Sequence, residues 1–129
     1  MAVTAEKDGL LAYELAQLQE SISAASQSET LQDASELTIS GGVVTSTGSY
    51  HLVDTEDDAA SDDLYTIGGA ATGKLLVIRM VSFGRTVVCK DGGGNLYLAG
   101  DFSLTSQYDR LMLIGHGTDW IEISRSDNT

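Results

Sequence analysis

The side chains that could perform chemistry in this chain are few, since it contains one cysteine and two histidines. Cys89 alternates with Val87 in a strand-like segment, so we interpret it as a small buried apolar residue and not as a nucleophile. His51 lies in another strand-like segment and His116 in a glycine-containing turn. Neither has the spacing to a second histidine or a cysteine that a zinc site requires. The inventory predicts no catalytic residues and no cofactor, so we do not expect an enzyme.

Carboxylates are present in excess, and six of them fall within residues 54–63. A calcium ion takes about six to eight oxygen ligands, and such a segment can supply part of that set. The candidate ligands are Asp54, Glu56, Asp57 and Asp58. Their spacing matches no calcium-binding loop, so a solvated loop is the favoured interpretation and a calcium site is the alternative.

The net charge of −12 limits which partners the chain can bind. No cluster of lysine and arginine could follow a nucleic-acid backbone, and anionic membrane surfaces would repel so acidic a protein. No apolar run approaches the roughly 20 residues that a membrane-spanning helix needs, and acids stand where a signal peptide would carry basic residues. We therefore expect no direct nucleic-acid partner, no membrane partner, and synthesis in the cytoplasm.

The amino-terminal segment has the periodicity of a helix over residues 5–26. Apolar residues recur there at spacings of four, three and four positions: Leu11, Leu15, Leu18 and Ile22. A heptad seam of only about two repeats is too short to hold a coiled coil by itself. We expect it to dock on sister subunits or on a larger partner, with the alternative that it covers its own β-domain. Residues 1–35 are thus predicted to be a helical arm and linker.

From residue 36 onward the apolar pattern changes to a period of two, which predicts about ten short strands separated by glycine and aspartate turns. The glycine run 92–94 precedes a strand and not a helix, so it is predicted to be a long hairpin turn. Segment 74–80 is apolar on both faces, which indicates a strand covered on both sides, for example by a neighbouring subunit. No repeat of solenoid length is visible. We predict one domain over residues 36–129, an antiparallel β-sandwich or jelly-roll-like barrel, preceded by the short N-terminal α-helix.

Three segments of the carboxy-terminal half have a characteristic form: residues 85–88, 94–101 and 119–126. With them, residues 64–128 resemble a β-domain that recurs in tailed-bacteriophage virion proteins, chiefly capsid decoration proteins, head fibres and tail fibres. The positions that carry the resemblance are Asn95, Asp101, Asp109, Trp120 and Ile121. The resemblance implies that these residues form turns and pack, and that none of them is catalytic.

The resemblance implies a structural role on a virion. The chain would then be a capsid decoration, or cement, protein: a homotrimer that binds the major capsid protein on the outside of the phage head and stabilises the shell. The alternative is a fibre or spike component whose β-domain binds a host receptor, with the helix as a short stalk. A third, weaker hypothesis is a glycan-binding module without a viral context. In each case Trp120, the only tryptophan, is expected to pack in the core or between subunits.

Overall fold

The computed structural model describes residues 12–18, 30–32 and 35–128. The chain divides into two compact units, Met1–Leu31 and Gln32–Thr129. The first unit contains a helix and the second contains the strands.

In the first unit, residues 12–18 form the helix α1, within the helical span predicted from the sequence. Two residues of the predicted heptad seam lie on it, and the side chains of Leu15 and Leu18 are 57% and 58% exposed. The other two, Leu11 and Ile22, lie outside the described residues. No helix in the described part of the chain has the length and apolar character needed to cross a membrane.

The second unit is mainly β, as predicted. Its described residues contain eleven strands and one 3-10 turn. The strands are β1 (Glu36–Thr38), β2 (Val43–Thr45), β3 (Tyr50–Asp54), β4 (Ser61–Leu64), β5 (Thr66–Gly68), β6 (Leu75–Met80), β7 (Thr86–Cys89), β8 (Leu96–Tyr97), β9 (Phe102–Leu104), β10 (Arg110–His116) and β11 (Asp119–Ser126), and the 3-10 turn is Glu56–Asp58.

The strands form three sheets, and the chain moves from sheet to sheet in a solenoid-like manner. One sheet has six strands in the order β1-β3-β6-β10-β11-β8, a second consists of β2 and β5, and a third has the order β4-β7-β9. β1, β3 and β6 run parallel, as do β2 with β5 and β4 with β7. Leu52, for example, pairs with Arg79 on the next circuit of the chain. Successive circuits therefore stack on one another.

Among the described residues, the predicted antiparallel arrangement holds for three of the eight strand pairings. β9 runs antiparallel to β7, and β10 runs antiparallel to both β6 and β11. The other five pairings are parallel. The sheets are therefore mixed, and their strand order is not clearly that of a sandwich or a jelly roll. Alternating apolar residues predict which side chains point inward, but they do not predict which strand becomes the neighbour.

Some glycine turns that resemble hairpins in the sequence are corners between sheets in the structure, whereas the turn at Gly117 closes the antiparallel pair β10–β11. The run 92–94 connects β7 to β8, which belong to different sheets, so the prediction of a hairpin turn is wrong. At another corner Gly69 has a φ of +85°, and an added Cβ would lie 2.5 Å from the carbonyl oxygen of Ser46, so only glycine fits there. The circuit from Glu36 to its partner Leu52 is shorter than the circuit from Leu52 to Arg79. Unequal circuits explain why the stacking leaves no visible repeat in the sequence.

The inward faces of the three sheets pack into one core. Strand β10 shows the alternation, because Leu111 and Leu113 are buried while Ile114 is exposed. Trp120 of β11 is the largest fully buried side chain. The other core residues include Ile39, Val53, Leu64, Ile67, Leu76, Ile78, Met80, Val87, Cys89, Leu96 and Leu104. Burial of this apolar surface is the main stabilising contribution to the unit.

Candidate functional site: an apolar face of the six-stranded sheet

The six-stranded sheet carries apolar side chains on the face that points away from the core. Strand register places Leu75 opposite Ile114, Ile114 opposite Ile121, and Ile121 opposite Tyr97, so these four form one row across β6, β10, β11 and β8. Val77, which is buried, pairs with the half-buried Met112 in the next row. We define the outer apolar face by these side chains and one more from β11: Leu75, Val77, Tyr97, Met112, Ile114, Ile121 and Ile123.

Several of these large apolar side chains are exposed to solvent, which is unusual for apolar residues that lie next to one another. Tyr97 and Ile123 are 51% and 52% exposed, and Ile114 and Ile121 are 37% and 36% exposed. Single exposed apolar residues are common on protein surfaces, but contiguous apolar patches mark sites of interaction. The contiguity, and not the exposure of any one residue, makes this face the candidate site.

A β-bulge in β11 shapes one side of the face. Leu113 pairs with Glu122 and Met112 pairs with Ser124, so Ile123 is the extra residue between the two pairs. The bulge reverses the alternation, and Arg125 beyond it turns to the inner side, where its guanidinium lies 4.7 Å from the centre of the Phe102 ring. Without this insertion the arginine would point to the outer face.

Charge is distributed unevenly over the outer side of β6, β8, β10 and β11. The outward positions of these strands hold Arg79 and Arg110 towards one end and one carboxylate, Asp119, at the other. The chain as a whole has a net charge of −12. The outward positions of these four strands therefore lack the acidic excess of the chain as a whole, whereas Glu36 and Asp54 occupy outward positions of β1 and β3 in the same sheet.

The acidic segment predicted as a solvated loop or calcium site forms a 3-10 turn and its flanks. Both oxygens of Asp54 accept hydrogen bonds from Arg85 at 2.9 Å, and Asp54 is buried, so the prediction of a solvated loop is wrong at this position. Asp57 and Asp58 are exposed, with φ values of 53° and 55°. Glu56 accepts a hydrogen bond from a backbone N–H on the preceding circuit. Among the described residues no group of three or more histidine, cysteine or acidic side chains is placed to hold a metal ion.

An open cleft of about 400 Å³ lies beside this segment, lined by Gly41, Gly42, Glu56, Ser61, Asp62, Asp63 and Tyr65. The carboxylate of Asp62 accepts hydrogen bonds from the backbone N–H of Glu56 at 2.8 Å and of Asp63 at 2.9 Å. Asp62 thereby covers a backbone donor at the edge of β4, and acidic side chains at a strand edge oppose pairing with another strand. The polar groups of the cleft serve the fold.

Asn95 and Trp120 connect neighbouring circuits through the backbone of the same residue, Ile67. The side-chain oxygen of Asn95 accepts the N–H of Ile67 at 2.8 Å, and its side-chain NH₂ donates to the carbonyl of Ile67 at 2.6 Å. The indole N–H of Trp120 donates to that carbonyl as well, at 2.9 Å. The asparagine amide thus takes the place of a strand residue beside β5. The resemblance implied that these residues form turns and pack, but it did not indicate this contact.

Asp101 and Asp109, the two aspartates among the positions that carry the resemblance, also form contacts in turns. Asp101 accepts the backbone N–H of Asp91 at 2.8 Å and forms an ion pair with Lys90 at 2.9 Å, and these contacts lower the pKa of its carboxyl. Asp109 is buried and accepts backbone N–H groups of the loop that precedes it and of Asn128. Ile121, in contrast, belongs to the outer apolar face.

The remaining reactive side chains have structural roles. The Nε2 atom of His51 accepts backbone N–H groups of Thr47 and Gly48 at 3.1 and 3.0 Å, so Nδ1 carries the proton and donates to the carbonyl of Ser35 at 3.0 Å. Cys89 is buried, and burial raises the pKa of its thiol to about 12. A thiol in this state is a poor nucleophile at neutral pH.

The outer apolar face was only partly visible in the sequence. The segment 74–80, apolar on both faces, indicated the contribution of β6. The contributions of Tyr97, Met112 and Ile114 were missed because they depend on which strands become neighbours. The alternation of Ile121 and Ile123 with polar residues was the one further signal available.

Comparison with models of protein families finds no match to this chain, and no curated protein sequence matches it significantly.

Proposed function

We propose that this chain is a structural protein of a tailed-phage virion. In this proposal it is a capsid decoration protein, synthesised in the host cytoplasm, that binds the major capsid protein on the outside of the head as a homotrimer. The observation that carries the proposal is the outer apolar face of an acidic protein, where Ile114, Ile121 and Tyr97 are exposed in one row. Such a surface is suited to binding another protein and not to turnover of a substrate.

The state of the reactive side chains supports a role without catalysis. His51 and Cys89 are buried, and the buried carboxylates Asp54 and Asp109 accept several hydrogen bonds each. Catalytic acids, bases and nucleophiles need access to a substrate and a pKa suited to proton transfer. In the described part of the chain these groups hold the fold together instead.

The amino-terminal arm supplies the second contact in this proposal. Leu15 and Leu18 are exposed on α1, where they can pack against a neighbouring capsid subunit. Three arms linked through a trimer would bind the shell with an avidity that one short helix lacks. The proposal does not require the domain to be a sandwich or jelly roll, because a solenoid-like module can present the same apolar face.

The test uses heads purified from the virus that encodes the chain, with the gene deleted. Adding the purified protein back should raise the temperature at which the heads release their DNA. A Leu15→Ser change should weaken head binding, while Tyr13→Ser, an exposed change on the same helix, should not. Identical release curves with and without the protein would overturn the proposal.

A fibre or spike component is the second candidate. The parallel stacking of circuits favours it, because stacked circuits build elongated structures. In that role the β-domain would bind a receptor on the host cell. Labelled protein should then bind host cells and should not bind empty heads, which is the reverse of the result expected for decoration.

A further inference from the structure

We infer that the outer apolar face is the surface through which copies of this chain bind one another. The inference rests on the proposed structural function and assigns a partner to this face. The other surface with a recognisable feature, the acidic cleft beside β4, has its polar groups engaged within the fold.

The first argument is the cost of bringing two copies together. Each copy has a net charge of −12, so two copies repel each other in most orientations. The outward positions of β6, β8, β10 and β11 carry two arginines and a single aspartate. Contact centred on these positions therefore places few carboxylates against one another while it removes apolar side chains from water.

The second argument concerns Arg79 and Arg110. They lie on the neighbouring strands β6 and β10, one position beyond the paired residues Ile78 and Leu111. The guanidinium of Arg79 donates to the Tyr50 hydroxyl at 3.1 Å, and that of Arg110 donates to a backbone carbonyl. Neither forms an ion pair with a described carboxylate, and like charges on adjacent strands disfavour the sheet.

A second copy can place carboxylates beside these arginines. The chain contains 19 acidic residues and 7 basic ones, so another copy brings an excess of carboxylates to the border of the face. Charged groups at the rim of an interface raise the rate of association and select the partner. The outer apolar face, with its two arginines at one end, is thus complementary to an acidic protein. This chain is itself an acidic protein.

The area of the outer apolar face determines the affinity of self-association that we expect. Three strands of six to eight residues and the two-residue β8, about 4.8 Å apart, cover roughly 350 Å² in projection. A standard stable interface buries about 800 Å² on each partner. We therefore expect association in the micromolar range, so that the assembly state depends on protein concentration.

The experiment measures mass by sedimentation velocity on the full chain from about 1 to 100 µM. The wild type should shift from 13.6 kDa towards a multiple of that mass as concentration rises. Ile121→Asp should remain at 13.6 kDa, which corresponds to association at least about tenfold weaker. The matched control is Val43→Asp, because Val43 lies on a different sheet and is 41% exposed. It should assemble as the wild type does.

Two results would overturn the inference: a wild type that stays at 13.6 kDa at the highest concentration, or an Ile121→Asp variant that assembles as well as Val43→Asp. Near-ultraviolet circular dichroism of Trp120 reports whether each variant is folded. If Ile121→Asp fails to fold, Ile123→Ser at the more exposed position decides, with the same expected loss of assembly.

Binding of the same variants to phage heads separates this inference from the proposed function. An assembled wild type that does not bind heads would overturn the decoration role and leave self-association standing. An Ile121→Asp variant that assembles normally but no longer binds heads would assign the face to the shell and overturn the inference.

Discussion

The two faces of the six-stranded sheet are built by the same strands but have different surroundings. On the inner face Leu113 and Trp120 are buried beneath the other two sheets. On the outer face their neighbours in the chain, Ile114 and Ile121, remain more than a third exposed. Both faces are apolar, so hydrophobicity by itself does not select the core. The placement of the other sheets does, and it leaves a second apolar surface open among the described residues.

This difference separates folding from assembly. An inner side chain contributes to the free energy of unfolding of one copy, because its burial does not depend on a partner. An outer side chain gains little from folding and can gain more from association. Matched substitutions on the two faces should therefore affect different measurements.

The largest effect is expected from a pair of truncations at adjacent positions of β11. Trp120→Ala should lower the free energy of unfolding by about 3–5 kcal/mol, because it opens a cavity and removes the indole donor to Ile67. Ile121→Ala should lower it by less than about 1 kcal/mol in the monomer. Urea denaturation at a concentration below that of self-association measures both. Equal losses would show that the outer face also belongs to the core of a single copy.

The two histidines offer a second inner and outer pair. His51→Leu should destabilise the protein by about 2–4 kcal/mol, because it leaves the backbone N–H groups of Thr47 and Gly48 without their acceptor. His116→Leu, at an exposed position, should change the free energy of unfolding by less than about 0.5 kcal/mol. Thermal unfolding followed by circular dichroism is sufficient. A His51→Leu variant as stable as the wild type would mean that the loop finds other partners.

Acid should weaken the inner side of β11. Arg125 donates to both oxygens of Glu122, at 2.6 and 3.0 Å, and this contact holds the pKa of the Glu122 carboxyl below its ordinary value of 4.5. A lowered folded-state pKa stabilises the fold above the unfolded pKa, and that contribution is lost as pH falls through the folded-state pKa.

The free energy of unfolding of the wild type should therefore fall below pH 4.5 by more than that of Glu122→Gln, which has no carboxyl to protonate. Urea titrations at a series of pH values measure the difference between the two proteins. Parallel pH profiles for both would show that the ion pair does not contribute to stability.

Thiol labelling perturbs the protein least and is the most direct probe of the two faces. Cys89 is buried with its pKa raised to about 12, so a maleimide should not react with the folded wild type at neutral pH. A cysteine introduced by Ile123→Cys should react quickly in dilute solution and more slowly as copies associate. Mass spectrometry counts the modified thiols. Rapid labelling of Cys89 would contradict its position in the core.

Local chemistry in the sequence was sufficient to predict the amino-terminal helix, the change to a period of two after residue 35, and a mainly β domain. Side-chain alternation depends only on backbone geometry within a strand, so it can be read without knowing the fold. The apolar character of segment 74–80 on both faces predicted that β6 is covered on both sides, and in the structure Val77 on its outer side is buried.

The direction and order of strand pairing were decided only by the tertiary structure. Parallel and antiparallel neighbours accept the same alternating pattern, and a glycine that turns a corner has the same type and φ as one that closes a hairpin. The bond of Asn95 to Ile67 arises where separate circuits meet. The outer apolar face exists as a continuous surface for the same reason, since its rows join residues that only the stacking of the chain brings side by side.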